Sequence, residues 1–403
     1  MEKQHQAPRL PLAGVTVIDF GQIFQGPYCT LLMAKAGADV IKVEPPGRGE
    51  PLRARAAPGK SAIFSFAMLN ANKRAITLNL KSPRGRELLI EMAKRADVLL
   101  ENFSPGTMDE LGVGWEVLSA ANPRLIYATG SGFGITGPDR GNLAMDFTIQ
   151  AASGIMSVTG PKDGPPLKAG PTLVDMMGGI HLYAGIMTAL YERMASGRGR
   201  LVEVAMQEAV YCSLASPMEY YTRTGKIPPR VGNGQAAMTT APYNAYPTTD
   251  GWVAIHVVTE QHFQNLLGAM GREELKDDPR FATHDARIAN LEATDALVSA
   301  WTRTMSKHAV AAACKRARIP SAPVRDVAEV MADPHMHSRG FLEQVTHPDF
   351  GACTMPTTPL RLHGTDVAPA TPSPAIGAHN DEIYGWLGLS PAEIARLRAD
   401  GVI

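Results

Sequence analysis

From Val15 to Thr129 the chain alternates short, almost wholly apolar runs with segments of helical spacing, and that alternation restricts the fold most. Val15–Phe20, Val40–Val43, Ala75–Leu80, Asp97–Asn102 and Arg124–Thr129 read as strands. Pro27–Ala36, Pro83–Arg95 and Gly114–Ala121 read as the helices between them. Strands apolar on both faces and joined by helical crossovers form a parallel sheet covered on each side. The expectation is an α/β, doubly wound large domain over residues 1–222. It includes a long helix Met176–Ser196 with Asp175 at its head and Gly197 past its end.

The pattern changes after Arg223. Thr224–Thr240 is rich in Gly, Pro and Thr and reads as a linker or binding loop. Tyr243–Thr248 and Trp252–Val258 flank Asp250-Gly251 as a hairpin, and helical segments follow from Glu260 to Ala317. A smaller α+β domain is expected over 223–330. Residues 331–403 then return to the large domain through short strands Phe341–Val345 and Thr354–Thr357, an extended connector Val367–Pro374, and two helices, Asn380–Leu387 and Pro391–Ala399.

Charge narrows the partners. The 39 basic and 39 acidic side chains cancel, so no global field draws the chain to nucleic acid or an anionic membrane. An anionic ligand would need a local cluster of cations. Met1–Pro11 has charges of both signs and no apolar run, so no secretory signal is expected. The apolar stretch Met176–Leu190 is too short to span a bilayer. Cys29, Cys212, Cys314 and Cys353 are widely spaced, form no metal or redox motif, and read as reduced thiols of a cytoplasmic protein.

Several segments could carry chemistry. Gly132-Phe-Gly134-Ile-Thr-Gly137 matches G-x-G-x-x-G, but Pro138 to Gly141 is loop chemistry where a dinucleotide fingerprint needs a helix to begin. Asp175 at a helix head would accept backbone N–H groups and feel the helix dipole, both favouring the carboxylate that a nucleophile requires. Most aspartates so placed only cap their helix. Gly178 and Gly179 suggest that something packs close to this helix's backbone. The Gly232-Asn233-Gly234-Gln235 stretch could present bare N–H groups to an oxyanion, or be only a tight turn. Lys73, Arg74 and Lys81, with Arg48, Arg53 and Arg55, flank strand ends; each singly reads as a solvated charge. His181 reads as a core residue.

Taken in order, these segments resemble the class III CoA-transferases of the CaiB/BaiF type, the group of formyl-CoA transferase and carnitine CoA-transferase. The likeness runs through Pro11-Leu-Ala-Gly-Val-Thr-Val-Ile-Asp19-Phe, Gly26-Pro27, the stretch ending Gly-Ala-Asp39-Val-Ile-Lys-Val-Glu44, and Asn72-Lys73-Arg74. It continues through Lys81, Glu101-Asn102-Phe103, Gly134-Ile-Thr-Gly137-Pro138, Leu173-Val-Asp175, Gly197-Arg-Gly199, Leu387-Gly-Leu389-Ser and Gly401-Val402-Ile403. It implies an interlinked homodimer that acts on acyl-CoA and carboxylic acid substrates, with coenzyme A as substrate, no tightly bound cofactor and no metal. Asp175 would be the nucleophile, forming a mixed anhydride and then an aspartyl-CoA thioester. Gly232, Asn233, Gly234 and Gln235 would be the mobile oxyanion loop. The CoA site would include Phe24, Gln25, Arg48, Leu78, Lys81, Asn102, Phe103 and Met145. Formyl-CoA transferase has arginine where this chain has Pro45 and Glu110, and Arg48 is the expected substitute.

Two other functions suit the same fold. The α-methylacyl-CoA racemases keep the aspartate but pair it with a histidine in Gly-His-Asp, where this chain reads Ala144-Met145-Asp146. Methionine cannot shuttle a proton. A non-catalytic CoA-binding protein is the second alternative, and the Asp175 and Gly232 segments argue against it.

Overall fold

The computed structural model describes residues 10–403. Most of the N-terminal stretch read above as lacking a secretory signal (residues 1–9) therefore lies outside the described residues. Six parallel strands form the main sheet: β1 (Thr16–Asp19), β2 (Asp39–Glu44), β3 (Arg74–Thr77), β4 (Val98–Glu101), β5 (Ile126–Ser131) and β6 (Leu201–Ala205). Their order is β3-β2-β1-β4-β5-β6. The direction of winding reverses between β1 and β4, and in open parallel sheets a crevice forms at that point beyond the carboxyl ends of the strands.

Alternation along the strands divides the core. Ile18, Ile41, Ile76 and Leu99 face one layer, with Leu88, Leu89 and Met92 of the Pro83–Ala93 helix and Ile383, Tyr384 and Leu397 from the C-terminus. Val17, Val40, Val98 and Ile126 face the other, against Cys29 and Met33 of the Gln25–Lys35 helix and Leu182 and Ile186 of the Leu173–Ser196 helix. Both faces are thus covered, as the continuous apolar runs predict. The Leu173–Ser196 helix begins before the expected Met176, and its 24 residues would suffice by length and composition to cross a membrane. It instead packs along the Gln25–Lys35 helix, β5 and β6.

Two compact units divide the chain. One comprises the residues up to Ser153, Gly170–Cys212 and Asp333–Ile403; the other comprises Gly154–Ala169 and Ser213–Ala332. The second unit therefore begins at Ser213 rather than at 223, and it takes in a piece of chain from inside the expected large domain. It holds an antiparallel sheet of β7 (Tyr243–Pro247), β8 (Trp252–His256) and β9 (Ser321–Pro323), packed with the Glu260–Met270, Leu291–Thr302 and Lys307–Arg316 helices. A separate hairpin, β10 (Leu342–His347) with β11 (Gly351–Pro356), belongs to the first unit.

Three side chains differ from expectation. Lys73 is buried, not solvated: its Nζ donates to Asp19 Oδ2 (2.9 Å), Thr30 Oγ1 (2.7 Å) and Asn70 Oδ1 (2.9 Å). Arg53 is likewise buried, donating from Nε and Nη2 to Glu44 (2.7 and 2.8 Å) and lying over the Phe66 ring. His181 is exposed rather than in the core.

Candidate active site

The turn after β1 is built first, because it forms one wall of the crevice. Asp19 Oδ1 accepts from the Gly21 N–H (2.7 Å), and the Lys42 Nζ donates to the Gly21 carbonyl. Ile23 then takes a left-handed conformation (φ 64°), and its N–H donates to Glu50 Oε2 (3.0 Å). A β-branched residue in that region is strained, and such strain persists only where the surroundings hold it. The opposite wall follows β4. Asn102 Oδ1 accepts from Gln22 N–H (2.7 Å), while its Nδ2 donates to the Gln22 carbonyl (3.0 Å). The amide of Asn102 is therefore committed to fastening the two walls, rather than free for a ligand. Glu101 is pushed up to about 7 by burial, and its Oε2 accepts the Phe103 N–H (2.7 Å), which orients the Phe103 ring.

A cavity of about 470 Å³ opens here, lined by Gln22, Ile23, Gln25, Asn102, Phe103, Met145 and Asp175 among others. A second cavity, about 430 Å³, is lined by Arg48, Leu78, Lys81 and Phe103, together with Phe20 and Pro45. Gln22, Phe103 and Thr107 line both. The structure thus brings together seven of the eight residues expected at a CoA site. Phe24 is the exception: it packs with Tyr28, Met68 and Met176 against Leu31, Leu69 and Ala71. Its neighbour Gln25 faces the cavity, and one helical step separates the two directions.

Asp175 is not the helix cap. Thr172 stands at the N-cap, and Asp175 lies in the first turn. The capping is done by Asp146, whose Oδ1 accepts the Val174 N–H (2.8 Å) and the Asp175 N–H (3.2 Å). Asp146 opens the Asp146–Ala152 helix, which sequence patterns did not reveal, and Gln150 donates to its other oxygen (2.6 Å). Asp175 is thereby spared the usual duty of an aspartate at a helix start. Its side chain makes no hydrogen bond among the described residues. The expected easy ionisation is also reversed: burial, with the Asp146 charge added, pushes the Asp175 carboxyl up to about 7. A carboxylate with a raised pKa is a stronger nucleophile once ionised.

The two glycines after Asp175 do mark a close approach. A Cβ on Gly178 would stand 2.7 Å from Gln25 Nε2, and one on Gly179 would stand 2.6 Å from the Gln25 carbonyl oxygen. The Gln25 amide is held between Gly130 and Gly178, and its Nε2 is buried without a hydrogen-bond partner. A buried unpaired donor is costly unless a ligand completes it. It lines the same cavity as Asp175.

The glycine loop belongs to the second unit. Gly232 has φ 61° and donates its N–H to the Gly160 carbonyl (3.1 Å), and Gly234 N–H donates to the Val231 carbonyl (2.9 Å). Both glycine N–H groups are thus engaged, contrary to the expectation that they are bare. Gln235 Oε1 accepts from Thr239 N–H (2.9 Å). Among the described residues, the loop's backbone N–H groups without partners are those of Asn233 and Gln235.

The model of CoA-transferase family III matches residues 12–380. The chain belongs to CoA-transferase family III. This family III chain is 37% identical to a succinyl-CoA–D-citramalate CoA-transferase of Chloroflexus aurantiacus, over 99% of each chain. It is also 37% identical to a formyl-CoA:oxalate CoA-transferase of Streptomyces coelicolor, over 97% of this chain and 99% of that one. Among solved structures, a CaiB/BaiF family protein from Brucella suis matches with a TM-score of 0.84 and 34% identity, covering 94% of this chain and 99% of that one.

Proposed function

We propose that this family III enzyme moves coenzyme A from an acyl-CoA donor to a carboxylic acid, with Asp175 as covalent nucleophile. The observation that carries the reading is the adjoining pair of cavities: Arg48 and Lys81 in one, a free Asp175 carboxyl in the other, and Phe103 shared between them. The first suits the phosphates and base of CoA, and the second suits the thioester. The Asp175 carboxylate attacks the thioester carbonyl, the carbon–sulfur bond breaks, and CoA leaves as thiolate. The thiolate then attacks the aspartyl carbonyl of the mixed anhydride, releasing the donor acid and forming aspartyl-CoA thioester. The acceptor carboxylate attacks that thioester, expelling the thiolate again. Attack of the thiolate on the acceptor's acyl carbon yields new acyl-CoA and restores Asp175. Each step develops an oxyanion, which Gln25 Nε2 would meet. The likeness to the class III enzymes gives the Gly232–Gln235 loop the remaining oxyanion donors and the exclusion of water from the anhydride.

A racemase is less well supported, because Met145 and Asp146 leave no proton shuttle beside Asp175: one has a thioether and the other caps the helix. Assay of the purified enzyme with a panel of acyl-CoA donors and carboxylic acids tests the reading. New acyl-CoA should appear in stoichiometric exchange, and thioester hydrolysis alone would contradict it.

The neighbouring carboxylate gives a pH test. Asp146→Asn keeps a carbonyl oxygen for the Val174 and Asp175 N–H groups but removes the like charge. The acidic limb of kcat/KM, governed by ionisation of Asp175, should then move to lower pH by about half to one unit. An unmoved limb would show that Asp146 does not act on the nucleophile.

The reading includes a homodimer in the cytoplasm. Free cysteines suit a reducing compartment. On the Asp175 helix, Tyr191 is 79% and Met194 83% exposed, and a partner subunit would cover them. Sedimentation of the protein as a folded monomer at micromolar concentration would remove the dimer from the account.

A further inference from the structure

Arg55 has an unusual place in the Asp175 cavity. Among the described residues that line it, Arg55 and Asp175 are the only ionisable ones. Apart from Arg48 and Lys81 of the adjoining cavity, the cations near this turn are spent. Lys73 is paired with Asp19, Arg53 with Glu44, and Lys42 donates to the Gly21 carbonyl. The Arg55 guanidinium has no hydrogen bond or ion pair among the described residues. Yet its backbone is not loose. It ends the single turn Arg53–Arg55, which is clamped by the buried Arg53 through Glu44, the Ser61 carbonyl (3.3 Å) and the Pro374 carbonyl (3.0 Å). The same segment is tied to the β1 wall by Glu50, which accepts the Ile23 N–H. Arg55 is exposed to solvent yet lines the cavity of the nucleophile, so a planar, charged fork on a fixed turn stands at that cavity with no protein carboxylate paired to it.

A pocket that holds an ionising aspartate repels anionic substrates, and one unpaired guanidinium offsets that repulsion. The CoA phosphates have Arg48 and Lys81 in the other cavity. We propose that Arg55 is a specificity-determining residue that binds the second, unreacting carboxylate of a short dicarboxylic acid. The group arrives either on the free acceptor or as the ω-carboxylate of a donor acyl-CoA. This rests on the transferase reading above and names its substrate class. Arginine suits the task because its paired N–H groups match both oxygens of a carboxylate. The bond-making steps are those already given; the second carboxylate forms no covalent bond and is held while the first reacts.

Acceptor pairs of matched length test it in the full-length enzyme: succinate against butyrate with acetyl-CoA as donor, and glutarate against pentanoate with acetyl-CoA and with succinyl-CoA as donor. The wild-type enzyme should prefer each dicarboxylate. In Arg55→Gln, kcat/KM for the dicarboxylates should fall roughly 100-fold, the loss of a paired charge-assisted contact. The value for monocarboxylates should hold within a few-fold, as should the KM for acetyl-CoA. A loss confined to succinyl-CoA as donor would place the carboxylate on the donor acyl group; a loss for free succinate and glutarate would place it on the acceptor. Equal losses for every acid, with a raised KM for acetyl-CoA, would assign Arg55 to a CoA phosphate and overturn the proposal. So would equal wild-type use of mono- and dicarboxylates, which would leave the transferase reading standing. Absence of transfer to every acid would remove that reading and the proposal with it.

Discussion

Asp175→Ala is expected to lower the transfer rate by about 10⁴-fold or more, because covalent catalysis has no substitute once its nucleophile is gone. Affinity for CoA should change little. The Asp175 side chain makes no hydrogen bond that the substitution would break, and the cations expected to hold CoA line a different cavity. Alanine is also the best helix former for the first turn that Asp175 occupies. The same variant should be more stable than wild type at alkaline pH. A carboxyl whose folded pKa is raised to about 7 from 3.8 holds its proton more tightly folded than unfolded. Wild-type stability therefore falls as pH rises between those values, and above about 7 the full cost of the buried charge is present. Removing it should gain on the order of 1–3 kcal/mol at pH 8, read by urea titration, and nothing below pH 4. An active variant, or one less stable at pH 8, would show that Asp175 is an ordinary structural aspartate.

Lys73→Met should be the most damaging single change to the scaffold, at about 3–5 kcal/mol. Lys73 and Asp19 are both fully buried side chains with their polar atoms satisfied. Burial pushes the Lys73 ammonium down to about 8, and Asp19 opposes that. For Asp19 burial acts upward, but Lys73 and Lys42 outweigh it and hold the carboxyl below its usual range. Loss of Lys73 leaves Asp19 buried with one fewer compensating charge, and Asp19 also fixes the Gly21 N–H at the start of the cavity wall. Activity should therefore fall with stability. The double change Lys73→Met with Asp19→Asn should cost clearly less than the sum of the two single changes. Additive losses would mean that the two side chains do not act as a pair.

The sheet was legible in the sequence because a parallel strand buried on both faces must be apolar at its centre, and β1 to β5 each carry adjacent apolar residues there, such as Val17-Ile18, Val40-Ile41 and Leu99-Leu100. The candidate nucleophile was legible as a residue, but its circumstances were not. Local spacing offers Asp175 as its own helix's cap; the actual cap, Asp146, comes from another helix and meets it only in the folded chain. Lys73 and Arg53 look like surface cations because nothing near them in sequence announces Asp19 or Glu44 as partners. Gly178 and Gly179 did announce a close neighbour, though not that Gln25 would be the side chain held there. Phe24 and Gln25 show the limit of a resemblance: it selects a segment, whereas the helical turn decides which of two adjacent side chains faces the cavity.

The most direct test of the account is to look for the acyl-enzyme. The enzyme should be incubated with donor acyl-CoA without acceptor, quenched with hydroxylamine, and its peptides weighed. The aspartyl-CoA thioester, and the mixed anhydride where attack falls on its aspartyl carbonyl, would be converted to a hydroxamate on Asp175, and Asp175→Ala should give none. A label on Asp146 would move the nucleophile to the residue identified here as a cap. An unlabelled enzyme that still transfers CoA at its full rate would contradict covalent catalysis altogether.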